Sequence, residues 1–226
     1  MKQERLAVVV VVPTYKIAYM AIPKAACSSV KAALARIDPD VTIPPEAATD
    51  FQVWHRIYPT RRYNKNRWQS YRDPEWFSFT VVRDPAKRLM AAYTNRVVEL
   101  RELHNSRRLQ RGDFDLPMDP DPDFFFQHLD EYREASSSVK HHTFLTSAFT
   151  GPLPWKFTKV YRTQDLGDLA RDLSDRVGQG VVIPRENAST TRLDVRDLSD
   201  KTKDALRPRF ERDYAHLAEF YDNPLA

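Results

Sequence analysis

Three observations predict a three-layer α/β fold, a central mostly parallel sheet flanked by helices. Short apolar runs alternate along the chain with segments whose apolar residues recur at helical spacing. The run WFSFTVV, residues 76–82, is almost continuously apolar, as in a strand covered on both faces. Connections between these runs are rich in proline and poor in glycine, with sixteen prolines against five glycines, so they are shaped and not loose. At 226 residues, 42% hydrophobic and 29% charged, the chain can bury one substantial core, and residues 1–226 are expected to form a single domain.

The elements follow in order. Residues 6–12 are expected to form a buried strand that stops at Pro13, and KIAYMAI, residues 16–22, a second one. Val30, Leu34 and Ile37 then recur at helical spacing until Asp38 and Pro39 end the pattern. A proline-rich link leads to a polar, aromatic stretch at 51–71 that fits no one backbone state. After the strand at 76–82, Asp84 and Pro85 start a helix, because Asp caps free amides and Pro at the first position loses no hydrogen bond. Its expected stripe is Leu89, Tyr93, Val97 and Leu100, and it is expected to reach about His104. Residues 105–123 read as a shaped polar loop, and Asp123 as the cap of a short helix beyond it. FTKVYRT, residues 157–163, is another expected strand, followed by a helix over 165–177 and a short apolar run at 181–184. The last helix carries Leu206, Phe210, Leu217 and Tyr221, with Pro208 expected to bend it or delay its start.

Charge and cysteine content narrow the function. The net charge of +4 suits an anionic partner, yet the cations are interleaved with Asp and Glu and no basic arm for nucleic acid stands out. A single cysteine, Cys27, excludes an intramolecular disulfide and a multi-cysteine metal site. The seven-residue run at 6–12 is far below the roughly 20 residues needed to span a bilayer. The expectation is a soluble, cytoplasmic protein with no nucleic-acid or membrane partner.

The chemistry concentrates at two strand-to-helix junctions. In AIPKAACSSVKAAL, residues 21–34, a strand meets a helix whose free amides and positive dipole end suit an anion. Lys24 adds a full charge there, and Ser28 and Ser29 can cap the helix or donate to oxyanions. The glycines of a nucleoside-triphosphate loop are missing, and the lysine precedes the turn instead of following it. In VVRDPAKRL, Arg83 stands at the strand end and Arg88 one turn into the helix. Parallel strands would bring both junctions to one crevice, which suits a ligand with two anionic ends.

At these residues the chain resembles the sulfotransferases that use 3′-phosphoadenosine 5′-phosphosulfate, particularly the carbohydrate sulfotransferase branch. Pro23, Lys24, Ala25, Ala26, Cys27, Ser28, Ser29, Val30 and Lys31 are similar to that family's 5′-phosphosulfate loop. The stretch from Val82 and Arg83 through Arg88 and Leu89 is similar to its 3′-phosphate motif. Weaker similarity continues through FFQHL, VYRTQDL and IPRENAS. Two positions depart from the pattern: Ala91 stands where the family usually has Ser, with Thr94 nearby as a substitute hydroxyl, and Gln164 where it tends to have Glu.

The resemblance implies a P-loop-like sulfotransferase fold and in-line transfer of a sulfuryl group, with no metal required, to an acceptor hydroxyl on a carbohydrate or small metabolite. Residues 23–29 with Arg83, Arg88 and position 91 would hold the donor, and Lys24 would stabilise the leaving oxygen. His55 is the first candidate for general base and His142 the second, since imidazole is the commonest base near neutral pH. Asn187, Ser189 and Arg192 are weaker candidates, the loop at 105–123 is expected to meet the acceptor, and Cys27 reads as a small packed residue. Two alternatives stand beside this reading, a nucleotide- or sulfated-glycan-binding protein without catalysis, and a P-loop-like small-molecule kinase.

Overall fold

The protein is seen here as a computed structural model that describes residues 9–186 and 191–226. Its strands are β1 (Val10–Val12), β2 (Ile17–Met20), β3 (Phe77–Val82) and β4 (Lys159–Arg162). Its α-helices begin with α1 (Cys27–Ile37), α2 (Gln52–Ile57), α3 (Lys65–Trp68), α4 (Pro85–Ala92) and α5 (Arg107–Gln110). They continue with α6 (Pro122–Gln127), α7 (Leu129–Ala135), α8 (Ser137–His142), α9 (Ser147–Thr150), α10 (Leu166–Val177) and α11 (Asp200–His216). The chain divides into two compact units, residues 1–82 with 147–188, and residues 83–146 with 189–226.

The first unit holds the sheet, in the order β1-β2-β3-β4. β1 runs antiparallel to β2, while β2, β3 and β4 are parallel, with Met20 opposite Thr80 and Val82 opposite Arg162. The predicted mostly parallel sheet is therefore present. Of the first expected strand, Val10 to Val12 pair, and residues 6–8 lie outside the described residues.

Strand alternation decides what each face buries. Ile17, Tyr19, Ala21, Phe79, Val81 and Tyr161 form one core with Val30 and Leu34 of α1, Trp54 of α2, and Leu169 and Leu173 of α10. Ala18 and Met20 turn the other way, onto Trp68 of α3 and its aromatic neighbours. Helices thus cover both faces. All of α1 except Arg36 is buried, and the small side chains Ala32, Ala33 and Ala35 let it sit close against its surroundings.

The second unit is helical. Asp84 accepts a hydrogen bond from the Lys87 amide at 2.8 Å, with Pro85 at the first helical position, so α4 starts as expected. Its core joins Leu89, Met90, Tyr93 and Val97 to Phe125, Phe126, Tyr132, Phe210 and Tyr214. The loop before α6 is shaped, because Tyr93 donates to the Pro120 carbonyl at 2.9 Å and Tyr132 to the Pro117 carbonyl at 2.8 Å.

Four expectations change. α4 ends at Ala92 and continues as a π-helical stretch over Tyr93–Glu99, not as an α-helix to His104. The wider turn shifts the stripe, so Val97 stays buried while Leu100 reaches the surface at 37% exposure. The cap of α6 is Asp121, which accepts from the Phe124 amide at 2.9 Å. Pro122 takes the first helical position and so makes its predecessor the cap, while Asp123 binds the amide and hydroxyl of Ser199 at 2.9 and 2.8 Å. α11 starts at Asp200 behind a Ser199 cap and runs through Pro208, so proline does not delay it, and Tyr221 lies beyond its end.

Candidate active site

In the first unit, the turn between β2 and α1 is closed by the Ala25 amide donating to the Ile22 carbonyl at 3.3 Å. Lys24 (φ 65°) and Ala26 (φ 58°), on either side of Ala25, are left-handed although neither is glycine. Such positions cost about 1–2 kcal/mol each, and strained turns of this kind cluster where a backbone must meet a ligand. Ala26 is the N-cap of α1 and offers no side-chain cap. The Val30 amide bonds the Ala26 carbonyl at 3.1 Å, so the amides of Cys27, Ser28 and Ser29 precede the first rung of the helix. Their dipole end and Lys24 form a cationic cradle made without glycine.

Neither serine caps the helix. Ser28 Oγ lies 2.9 Å from His55 Nε2, and Ser29 Oγ accepts from the Glu186 amide at 3.0 Å. Cys27 is buried in the core, as a packed residue should be. His55 is fixed from below. Trp54 is buried beside it with the Arg36 guanidinium 5.1 Å from its ring centre, and the Tyr58 hydroxyl donates to the Asp38 carboxylate at 2.5 Å. These contacts tie α2 to the end of α1.

Sequence reasoning assigned no role to Lys31. Its ammonium is fully buried, 3.1 Å from His55 Nδ1 and 2.5 Å from Thr60 Oγ1. Burial pushes it down from 10.5 to about 8, against an opposing pull from Cys27. The signal was present in the sequence as a lone lysine among Val30, Ala32, Ala33 and Leu34. Lys31, His55 and Ser28 thus form one chain of polar contacts ending at the cradle.

The second unit carries the other expected residues. Arg83 follows β3 directly, and burial lowers its guanidinium pKa, offset in part by Asp84 and Tyr221. Arg88 is 2% exposed and bonded through Nη2 to the Phe144 carbonyl and to Asp213 at 3.2 Å. Its Nε and Nη1 have no hydrogen-bond partner among the described residues. Ala91 is half-buried, and Thr94 is buried within the π-helical stretch. His142, at the end of α8, donates from Nδ1 to the Ser138 carbonyl at 2.9 Å. Arg192 is exposed, while Asn187 and Ser189 lie outside the described residues.

Each unit carries groups suited to an oxyanion. In the first unit these are Lys24, the Ser28 and Ser29 hydroxyls and three amides ahead of the first helical rung. In the second unit these are the Arg83 guanidinium and the Arg88 Nε and Nη1, which lack a hydrogen-bond partner among the described residues. A family model described as the sulfotransferase family matches residues 8–218. No curated protein and no solved structure matches the chain.

Proposed function

The chain belongs to the sulfotransferase family, and from this premise we propose that it moves the sulfuryl group of 3′-phosphoadenosine 5′-phosphosulfate to a hydroxyl of a carbohydrate or small metabolite. One observation carries the reading: the strained, glycine-free turn at Lys24 and Ala26 that opens onto the first amides of α1. The donor supplies the sulfuryl group and leaves as adenosine 3′,5′-bisphosphate. Both units lie within the matched span, and we read them as one catalytic domain.

Each residue then has a task. Lys24 and the amides of residues 27–29 neutralise the charge that grows on the oxygen losing the sulfur. Ser28 and Ser29 orient the sulfate and phosphate oxygens, and Arg83 takes the 3′-phosphate. Positioning and charge stabilisation carry most of the rate, as in phosphoryl transfer. The acceptor's proton needs a base with a lone pair. His55, whose ring nitrogens face Ser28 and Lys31, and His142 are the two candidates. With Nδ1–H held by the Ser138 carbonyl, neutral His142 carries its lone pair on Nε2, the form a base requires.

Labelled donor, offered with a panel of glycans, phenols and small metabolites, tests this. Lys24→Ala is expected to lower turnover by about 10²–10³, the loss typical of one oxyanion donor, with the fold unchanged by circular dichroism. His142→Ala is expected to remove the pH-dependent limb of the rate. Near-normal turnover in Lys24→Ala would overturn the assignment. Binding of adenosine 3′,5′-bisphosphate with no transfer to any acceptor would support the non-catalytic binding protein.

A further inference from the structure

A buried lysine that touches a histidine has a consequence for the atom on the far side of the ring. An ammonium has donors only, so the imidazole nitrogen facing it must accept. Lys31 Nζ lies 3.1 Å from His55 Nδ1, which puts the neutral ring's proton on Nε2, 2.9 Å from Ser28 Oγ. Ser28 Oγ then accepts from His55, and its own O–H is turned away from the ring.

We propose that Lys31 is a positioning residue: by holding His55 as the Nε2–H tautomer, it makes the Ser28 hydroxyl a hydrogen-bond donor at the anion cradle. Without that ammonium the opposite arrangement is open. Nδ1 can then carry the proton, Nε2 accepts from Ser28, and the hydroxyl points at the ring instead of at a ligand. One buried charge thereby sets the polarity of a relay from Lys31 through His55 to Ser28.

The surroundings support this. Lys31 is fully buried between Val30 and the apolar run Ala32 to Ala35 of α1, and Thr60 Oγ1, 2.5 Å away, holds a second of its donors. The titratable groups that face it are His55 from α2 and Cys27 one turn back on α1, with Tyr19 of β2 coupled in turn to Cys27. A lysine pushed only to about 8 stays largely charged at neutral pH. Burying a cation this deeply is costly, so a site that keeps one has a use for its charge.

The tautomer claim stands on the free protein. The claim that Ser28 donates to a sulfate or phosphate rests on the sulfotransferase reading. Nitrogen NMR on labelled histidine tests the first, with the His55 signals identified by their loss in His55→Gln. At neutral pH the expected pattern is a protonated Nε2 and an accepting Nδ1, and Lys31→Met, which keeps the volume without the charge, is expected to abolish that preference. Should Lys31→Met fail to fold, raising the pH through the Lys31 titration in the unaltered protein is expected to move the proton to Nδ1. A protonated Nδ1 at neutral pH, or a pattern indifferent to both changes, overturns the proposal. Calorimetry with adenosine 3′,5′-bisphosphate tests the second claim: binding several-fold weaker in Lys31→Met is expected, and equal affinity overturns the link to Ser28. No binding by the unaltered protein would refute the sulfotransferase reading and leave the tautomer result intact.

Discussion

Lys31 makes stability depend on pH through one buried side chain. Its folded-state value, about 8, lies below the ordinary 10.5, with burial as the main cause. Below pH 8 both folded and unfolded chains bind the proton, so the group adds no pH dependence. Between about 8 and 10.5 the unfolded chain binds more, and stability rises with pH through that window. The full rise is about 3 kcal/mol. Urea unfolding across this range is expected to show the rise in the unaltered protein and to lack it in Lys31→Met; parallel curves would contradict a buried, charged lysine. That Lys24 and the two serines stand together at one strand-to-helix junction was readable in the sequence, because the grouping is local to a few consecutive residues. The contacts of Lys31 were not, since they are made to His55 and Thr60, which lie 24 and 29 residues away and come from a stretch whose backbone the sequence left open. Asp50 was the overlooked signal there: its carboxylate accepts from the Gln52 amide at 2.8 Å at the start of α2.

Among the elements, the start of α4 combines a legible and an illegible part. Asp84 and Pro85 announce it locally, but the contact that secures it comes from α11. The Tyr214 hydroxyl donates to the Asp84 carboxylate at 2.9 Å and accepts from the Ala86 amide at 3.3 Å. Tyr214→Phe would leave the buried Ala86 amide without this acceptor and take one donor from the half-buried Asp84 carboxylate, which keeps the Lys87 amide, at a cost of about 1–3 kcal/mol. Denaturant unfolding measures this, and an unchanged midpoint would contradict the role given to the hydroxyl. Arg88 is a related case. Expected as a donor ligand, it is also half of a buried pair with Asp213, and breaking such a pair costs about 3–5 kcal/mol. Lost activity in an Arg88 variant must therefore be read beside its stability. The π-helical stretch after α4 was hidden because Leu89, Tyr93 and Val97 satisfy a helical stripe equally well, and only Leu100 betrays the extra residue in the turn.

Over the full chain, the alternation of strands and helices and the long apolar run of β3 carried the fold class, because a buried parallel sheet writes its pattern into consecutive residues. What the pattern did not contain was the division into two compact units; two of its three boundaries, at residues 82 and 146, fall at the end of β3 and in the link between α8 and α9. Chain segments interleave between the units, so no shift in composition marks the change. The family match over residues 8–218 runs through both. The most direct measurement is calorimetric titration of the unaltered protein with adenosine 3′,5′-bisphosphate, beside adenosine 5′-monophosphate, which lacks the second phosphate. The expected result is one site per chain, at least tenfold tighter for the bisphosphate, with that advantage lost in Arg83→Ala. Equal affinity for the two nucleotides, or no heat from either, would contradict a site built for a doubly anionic adenosine donor.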